Sequence, residues 1–393
     1  MIKLLLIFMF LVSCKPHGEL KRTTDNFCGE ADGDIDSYCE STLAATVSLN
    51  SLSLITLQNV STYTISGDCS GDGETVSINI GGVLSNPTCT TSSWSSTVDL
   101  SSLADGVVNI TVDHSRGEGN NAVQVVTSIT KNVPIPLIVF SVRRVSSLYS
   151  GPSMRVRRSS DNAEADILFI SNELDTTSLL AFVGGGSGYV KTWYDQSGNG
   201  NNATQTNVSI QPMIVSSGVL NIDNSIPSVE FNNSGLTTIS SVSLNDWTIL
   251  AVFNEKATSN SYERILDHNY QQGFWLGRNA AAASFGGGVK EASVPHGRFV
   301  SVVSTQLSMI GFQRVGTAHS VWLNDNYATR VSGVVTSSAT ASNPIGIGNW
   351  VNNSTPSQRA TSMNISEILI YSSDQTTNLP DIQSSIGSYF SIF

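Results

Sequence analysis

The residues best placed to do chemistry in this sequence are oxygen donors crowded into one stretch, Trp193-Tyr194-Asp195-Gln196-Ser197-Gly198-Asn199-Gly200-Asn201-Asn202. The carboxylate of Asp195 and the amide oxygens of Asn199 and Asn201 could ligate calcium, a hard cation that takes oxygen ligands. The same residues also suit a turn that satisfies itself. Glycine supplies positive φ, and Asp and Asn side chains bond their own backbone two residues on. A second acidic spacing, Asp32-Gly33-Asp34-Ile35-Asp36, departs from a calcium loop of the EF-hand type, with Ser37 in place of the glycine and Leu43 in place of the bidentate Glu. It reads more simply as a solvated linker. His17, His114, His268, His296 and His319 are scattered without metalloprotease spacing, and no serine sits in a Gly-x-Ser-x-Gly elbow. Gly184-Gly185-Gly186-Ser187-Gly188 lacks the Lys-Ser/Thr of a phosphate loop and reads as a flexible connection, as does Gly286-Gly287-Gly288.

The chain that must position these residues has 393 of them, a formal net charge of -11, 13% charged residues and 40% hydrophobic ones. That hydrophobic content, with recurrent β-branched residues, excludes a disordered chain. The acidic balance excludes nucleic acid as a partner, because no basic stripe could neutralise phosphates. Arg155, Arg157 and Arg158 form the local basic cluster. Alternate spacing puts Arg155 and Arg157 on one strand face, read as solvated.

The N-terminus speaks to compartment. Met1-Ile2-Lys3 is a short basic start, and Leu4 to Val12 is an unbroken apolar run. A span needs about 20 residues, so this run fits a signal-peptide core instead. Leu11-Val12-Ser13-Cys14 resembles the bacterial lipobox, which implies a lipoprotein signal peptide over 1–13 and lipidation of Cys14. Lys15, not Asp, follows. The expectation is a lipid-anchored, extracytoplasmic protein of the bacterial outer membrane or cell surface. Four cysteines remain, and they allow three connectivities. Proximity in the sequence favours Cys28–Cys39 and Cys69–Cys89.

Residues 14–44 read as an acidic tether. Residues 45–133 carry short alternating runs, among them Val47-Ser48-Leu49, Thr62–Ile65, Val76–Ile80, Thr97–Leu100, Val108–Val112 and Val123–Val125. Turn residues separate them, which predicts an antiparallel β-sandwich. The order Cys69, Cys89, Trp94, then Val98-Asp99-Leu100-Ser101-Ser102-Leu103-Ala104-Asp105-Gly106 resembles bacterial immunoglobulin-like repeats, which implies an Ig-like spacer with Trp94 in its core. Pro134-Ile135-Pro136 is a rigid linker over 134–136. Residues 137–393 form one large β domain. Its strand candidates include Leu137–Val142, Val190–Tyr194, Pro227–Phe231, Trp247–Phe253, Phe274–Gly277, Phe299–Thr305, Ser320–Leu323, Pro344–Gly348 and Ile365–Tyr371. Leu379, Ile382, Ile386, Tyr389 and Phe390 recur at helical spacing, with Asp381 in the first turn.

Leu148-Tyr149-Ser150-Gly151-Pro152, Met154 to Asp161 and the Trp193–Gln205 stretch together resemble the catalytic domain family of α-L-arabinofuranosidase B. The closing strand and helix, and Val321-Trp322-Leu323-Asn324-Asp325, resemble laminin-G-like domains. The resemblance implies an all-β chain: an Ig-like β-sandwich followed by a concanavalin-A-like jelly-roll β-sandwich with a C-terminal helix.

A retaining glycosidase needs two carboxylates about 5–5.5 Å apart. In the resembled family the nucleophile is a Glu shortly after a Trp-initiated strand. The matching region here, Trp275-Leu276-Gly277-Arg278-Asn279-Ala280-Ala281-Ala282-Ala283-Ser284-Phe285, contains none. The acid/base is an Asp after a Gly-Ile-Gly strand end, and here Gly346-Ile347-Gly348 continues as Asn349-Trp350-Val351-Asn352-Asn353. The family's adjacent cysteine pair is also missing. These departures imply a non-catalytic relative. A relocated pair would draw on Glu263, Asp267, Glu291 or Glu367, the last read as a strand residue with a structural partner. Trp350 offers an aromatic face, and Asn349, Asn352, Arg278 and Asn279 offer polar groups, a set that could hold a sugar. Trp350 could equally pack on a neighbouring loop, and Trp193, Trp247, Trp275 and Trp322 read as core. The function expected is recognition of an extracellular polysaccharide or glycoprotein. An active α-L-arabinofuranosidase and a purely structural envelope protein are the alternatives.

Overall fold

The computed structural model describes residues 44–55, 59–104, 106–116, 121–131, 133–146, 148–256, 262–268, 273–278, 284–291, 294–303, 305–335, 342–349 and 362–393. The chain divides into two compact units, Met1–Val133 and Pro134–Phe393. Strands dominate the described residues of both.

In the first unit, alternation makes the strands one-sided. Val76–Ile80 buries Val76, Ile78 and Ile80 and exposes Ser77 and Asn79. Tyr63–Asp68 pairs with Ser93–Val98 in one sheet; Val83–Ser85, Val76–Ile80, Gly106–His114 and Val125–Lys131 follow in that order in the other, all antiparallel. The inward faces share a core that holds the Cys69–Cys89 disulfide and Trp94. The Trp94 indole N–H donates to the Ser48 carbonyl at 3.2 Å. Two strands are displaced from the sequence expectation. Ser93–Val98 starts early enough for both Trp94 and Val98 to face inward. The last strand begins at Val125 and runs to Lys131, with Ile129 and Lys131 facing inward. Val47 makes an isolated bridge to Cys69. Cys14, Cys28, Cys39 and the Asp32–Asp36 stretch lie outside the described residues.

The second unit is a β-sandwich knitted from one extended hydrogen-bonded strand network. Its central strand, Trp247–Glu255, is buried along its whole length between Ser308–Val315 and Ser362–Tyr371. Burial on both faces explains an apolar run where a one-sided strand would alternate. Ser362–Tyr371 also pairs with Ile138–Ser141 and Val229–Asn232, closing the chain's last strand onto the unit's first. Trp193, Trp247, Trp275 and Trp322 are all buried.

Gly286, Gly287 and Gly288 are not a flexible connection. They lie inside the strand Ser284–Glu291, bonded to Phe274–Arg278 on one side and Val294–Ser301 on the other. A Cβ at Gly288 would meet the Trp275 ring at 2.5 Å, and one at Gly287 would meet the Phe312 ring. Glycine there lets aromatic rings approach the backbone. Arg157 is not solvated either. Met154–Arg158 is paired on both edges, and Arg157 lies over the Tyr189 ring at 4.8 Å with its Nε donating to Gln211 Oε1 at 2.7 Å. Arg155, half exposed, forms an ion pair with Asp166 at 2.8 Å.

Two α-helices complete the described residues. Thr176–Val183 is capped by Asp175, whose carboxylate accepts from the Ser178 N–H at 2.9 Å. Leu379–Phe390 carries Asp381 in its first turn and buries Leu379, Ile382, Ile386 and Phe390. No helix among the described residues is long and apolar enough to cross a membrane.

Candidate functional site

The Trp193–Asn202 stretch forms a turn that satisfies itself. The buried Asp195 carboxylate accepts at Oδ1 from the N–H groups of Val139 (2.9 Å) and Ser197 (3.0 Å). At Oδ2 it accepts from Ser197 Oγ (2.8 Å) and the Asn201 N–H (3.0 Å). Asn199 Nδ2 donates to the Leu137 carbonyl at 3.0 Å, and Asn201 Nδ2 to the same oxygen at 3.4 Å. Gln196 Nε2 donates to the carbonyls of Ser141 and Arg143, each at 3.0 Å. The turn therefore clips the strand Gly188–Trp193 to the strand Ile138–Ser141. A cation bound by Asp195 would have to displace donors from both carboxylate oxygens, and no cluster of three or more His, Cys, Asp or Glu suited to a metal occurs among the described residues.

That arrangement carries a measurable expectation. Asp195→Asn keeps the shape but turns one acceptor into a donor facing the Asn201 N–H. One buried N–H then loses its acceptor, which costs about 2 kcal/mol. Urea denaturation of the variant and the parent chain checks it, and an unchanged midpoint would refute the clip.

The described starts of the two windows expected to hold the catalytic positions, Trp275–Arg278 and Gly346–Asn349, lie on either side of one strand. Arg264–His268 bonds to Phe274–Arg278 along one edge and to Gly346–Ile347 along the other. Both neighbours run antiparallel to it, so both leave the sheet beside its first residues. The Arg278 N–H donates to the Glu263 carbonyl at 2.8 Å, and the Gly348 N–H to the Ile265 carbonyl at 3.1 Å. Gly348 takes φ 72°, and a Cβ there would run into the Phe231 ring. That bend delivers Asn349, buried, against Gly235. Arg278 and Asn349 thus flank the start of the same strand. Asn279, Trp350 and Asn352 lie outside the described residues, as do Ala280 to Ala283.

At this junction two fully buried carboxylates face one cation. The Arg278 guanidinium pairs with Glu255 and lies 3.7 Å, Nε to Oε2, from Glu263. A second guanidinium, Arg264, lies over the Trp275 ring at 4.5 Å and donates to the carbonyls of Tyr262, Glu263 and Arg278 at 3.1–3.2 Å. Two positive and two negative groups thus share the junction, which is how charge is tolerated away from water. Asp267 is buried on the same strand. His268 Nε2 donates to the Val242 carbonyl at 2.7 Å, and burial holds its pKa below the usual histidine value. Glu291 ends the strand Ser284–Glu291. Glu367 is engaged elsewhere, in a bidentate pair with Arg143. Glu255 escapes a reading from sequence because it closes an apolar strand with no motif around it.

These features define an all-β protein with a large sandwich and a buried ion cluster where two strand ends converge. Residues 130–225 match the family model described as alpha-L-arabinofuranosidase B, catalytic. A mutant GH54 α-L-arabinofuranosidase soaked with 4-nitrophenyl α-L-arabinofuranoside is similar at 14% identity, over 64% of this chain and 62% of that one, with a TM-score of 0.50. An arabinofuranosidase complexed with arabinofuranosyl-α-1,2-xylobiose shows 16% identity over the same shares, with a TM-score of 0.49. Domain 4 of a GH43 extracellular arabinanase from Geobacillus stearothermophilus, in complex with arabinotriose, shows 14% identity over 48% of this chain and 91% of that one, with a TM-score of 0.38. The likeness to the soaked GH54 mutant shows the fold. The match spans 62% of the length of the arabinofuranosidase chains. No curated protein matches this chain.

Proposed function

We propose that this protein recognises an extracellular glycan or glycoprotein with an arabinofuranosidase-like sandwich that no longer hydrolyses. One observation carries the reading: both windows that match the catalytic positions lack Asp and Glu, while the carboxylates at their junction, Glu255 and Glu263, face Arg278. A nucleophile and an acid must each reach the glycosidic bond from opposite sides, and two carboxylates buried on one guanidinium do not.

In this reading Trp350 supplies an aromatic face, and Asn349, Asn352 and Asn279 supply polar contacts to sugar hydroxyls, while Arg278, 8% exposed and held by Glu255 and Glu263, is scaffold and not a sugar contact. The first unit acts as an Ig-like spacer above a lipid anchor at Cys14, with Cys28–Cys39 stapling the tether. Calcium at Asp195, Asn199 and Asn201 would have to displace the donors already on both Asp195 oxygens, so glycan binding in this reading does not depend on it. The support is the family match over 130–225 together with the loss of acids from both windows.

The purified chain should release no 4-nitrophenol from 4-nitrophenyl α-L-arabinofuranoside above the uncatalysed rate. Turnover would establish the glycosidase reading instead. A glycan array probed with and without calcium should show binding to at least one polysaccharide, and binding to none would favour a structural envelope protein. Mass spectrometry of the envelope-derived protein should find acylated Cys14 as the first residue.

A further inference from the structure

The second unit carries a groove that shares no residue with the Arg278–Asn349 junction. It has a volume of about 460 Å³ and lies between the turn after the strand Ala318–Leu323 and the C-terminal helix, lined in part by Asp325, Tyr327, Gln383, Ser384, Ser388 and Phe393. That volume falls within the range of small-ligand sites.

Its walls are held in place by contacts outside it. Gln383 Nε2 donates to the Asn324 carbonyl at 2.7 Å, tying the turn that presents Asp325 to the helix. The Tyr327 hydroxyl donates to Gln313 Oε1 at 2.8 Å, and its ring stands edge-on to Trp322 with centroids 4.9 Å apart. Ser384 and Ser388, four residues apart, share one helix face. Phe393 folds back onto Gly387, where a Cβ would meet a ring carbon at 2.6 Å, and stays 47% exposed. A half-exposed aromatic face thus adjoins a rail of two hydroxyls, an amide, a phenol and a carboxylate.

We infer that this groove is a second ligand site, for a neutral sugar residue. The aromatic face matches the C–H face of a sugar ring, and the hydroxyl rail and Asp325 match its hydroxyls. Asp325 is the charged side chain among the lining residues, so a phosphate or carboxylate ligand would meet repulsion. This site does not rest on the glycan reading of the junction.

The test uses the full chain and saturation-transfer difference NMR. The probes are methyl α-L-arabinofuranoside, methyl β-D-xylopyranoside, methyl β-D-galactopyranoside and methyl α-D-glucopyranoside, with tetramethylammonium chloride as a cationic counter-probe. At least one glycoside should receive saturation. Phe393→Ala should weaken it about fivefold, the scale of one lost aromatic contact, and Ser388→Leu should weaken it as well, while part of the transfer persists in Asn349→Ala, which alters the junction alone. Near-UV circular dichroism reports folding, and Phe393→Ala, at a half-exposed position, keeps the test usable should Ser388→Leu fail to fold. Four results would overturn the site. They are no transfer to any glycoside, transfer unchanged in Phe393→Ala, transfer lost in Asn349→Ala alone, and transfer to tetramethylammonium only.

Discussion

Glu367→Ala should lower the unfolding free energy by about 3–5 kcal/mol, the cost of leaving one member of a buried ion pair without its partner. Arg143 Nε lies 2.7 Å from Glu367 Oε2 and Nη2 lies 2.8 Å from Oε1, with side-chain exposures of 12% and 1%. Ser141 Oγ adds a third donor to Oε2 at 2.7 Å. The guanidinium continues to the C-terminal helix, where Nη1 reaches the Ser385 carbonyl at 3.3 Å and the cation lies 4.8 Å from the Tyr389 ring centroid. One cation therefore links the segment after the first strand, the last strand and the closing helix. Removing Glu367 strands that cation in a dry setting, so the loss exceeds the net worth of the pair. The double variant Arg143→Met/Glu367→Met should recover much of the loss, because two apolar side chains of similar length replace two desolvated charges. Urea denaturation of the parent, both single variants and the double variant gives the coupling energy. A Glu367→Ala cost below about 1 kcal/mol would place this pair with exposed ion pairs and contradict the geometry.

The same pair shows what a sequence can and cannot disclose. Glu367 was readable as a strand residue because Ile365 and Ile368-Leu369 frame it, yet its partner lies 224 residues away and no local pattern points to Arg143. Strands with one wet face were legible: Val76–Ile80 keeps its expected ends because each polar residue marks solvent. The closing helix was legible for the same reason. The segment from Glu263 to His268 was not. Four of its six residues are titratable, which argues against an interior strand until Arg278 is seen to face Glu255 and Glu263, and Arg264 to donate to backbone carbonyls. That hidden strand is also what brings Arg278 beside Asn349, so the proximity of the two windows was invisible while each window's missing acid was plain. Gly286 to Gly288 failed similarly, because a glycine run says nothing about the Trp275 and Phe312 rings that require it.

His319→Leu should remove a large share of the chain's sensitivity to acid. His319 is fully buried on the strand Ala318–Leu323, and neither ring nitrogen has a hydrogen-bond partner. Arg314 stands opposite it on one neighbouring strand. On the other side Gly333 stands opposite, and the Arg298 guanidinium occupies the space a Gly333 side chain would take. Burial first, then the positive charges of Arg298, His296 and Arg314, press the imidazole pKa from 6.5 down to about 4. The unfolded chain binds this proton more readily than the folded one. Stability from the neutral ring is therefore fully present above pH 6.5 and drains away as the pH falls towards 4. The depression corresponds to about 3 kcal/mol across that window. Leucine has no proton to gain and leaves no unpartnered nitrogen, so the variant should equal or exceed the parent at pH 7 and lead it by about 3 kcal/mol at pH 4. Carboxylates titrate in both proteins alike, so the difference between their urea midpoints isolates this ring. Parallel pH profiles for the two proteins would mean that the folded chain accommodates the imidazolium, and the arrangement of Arg298 and Arg314 around it would have to be redrawn.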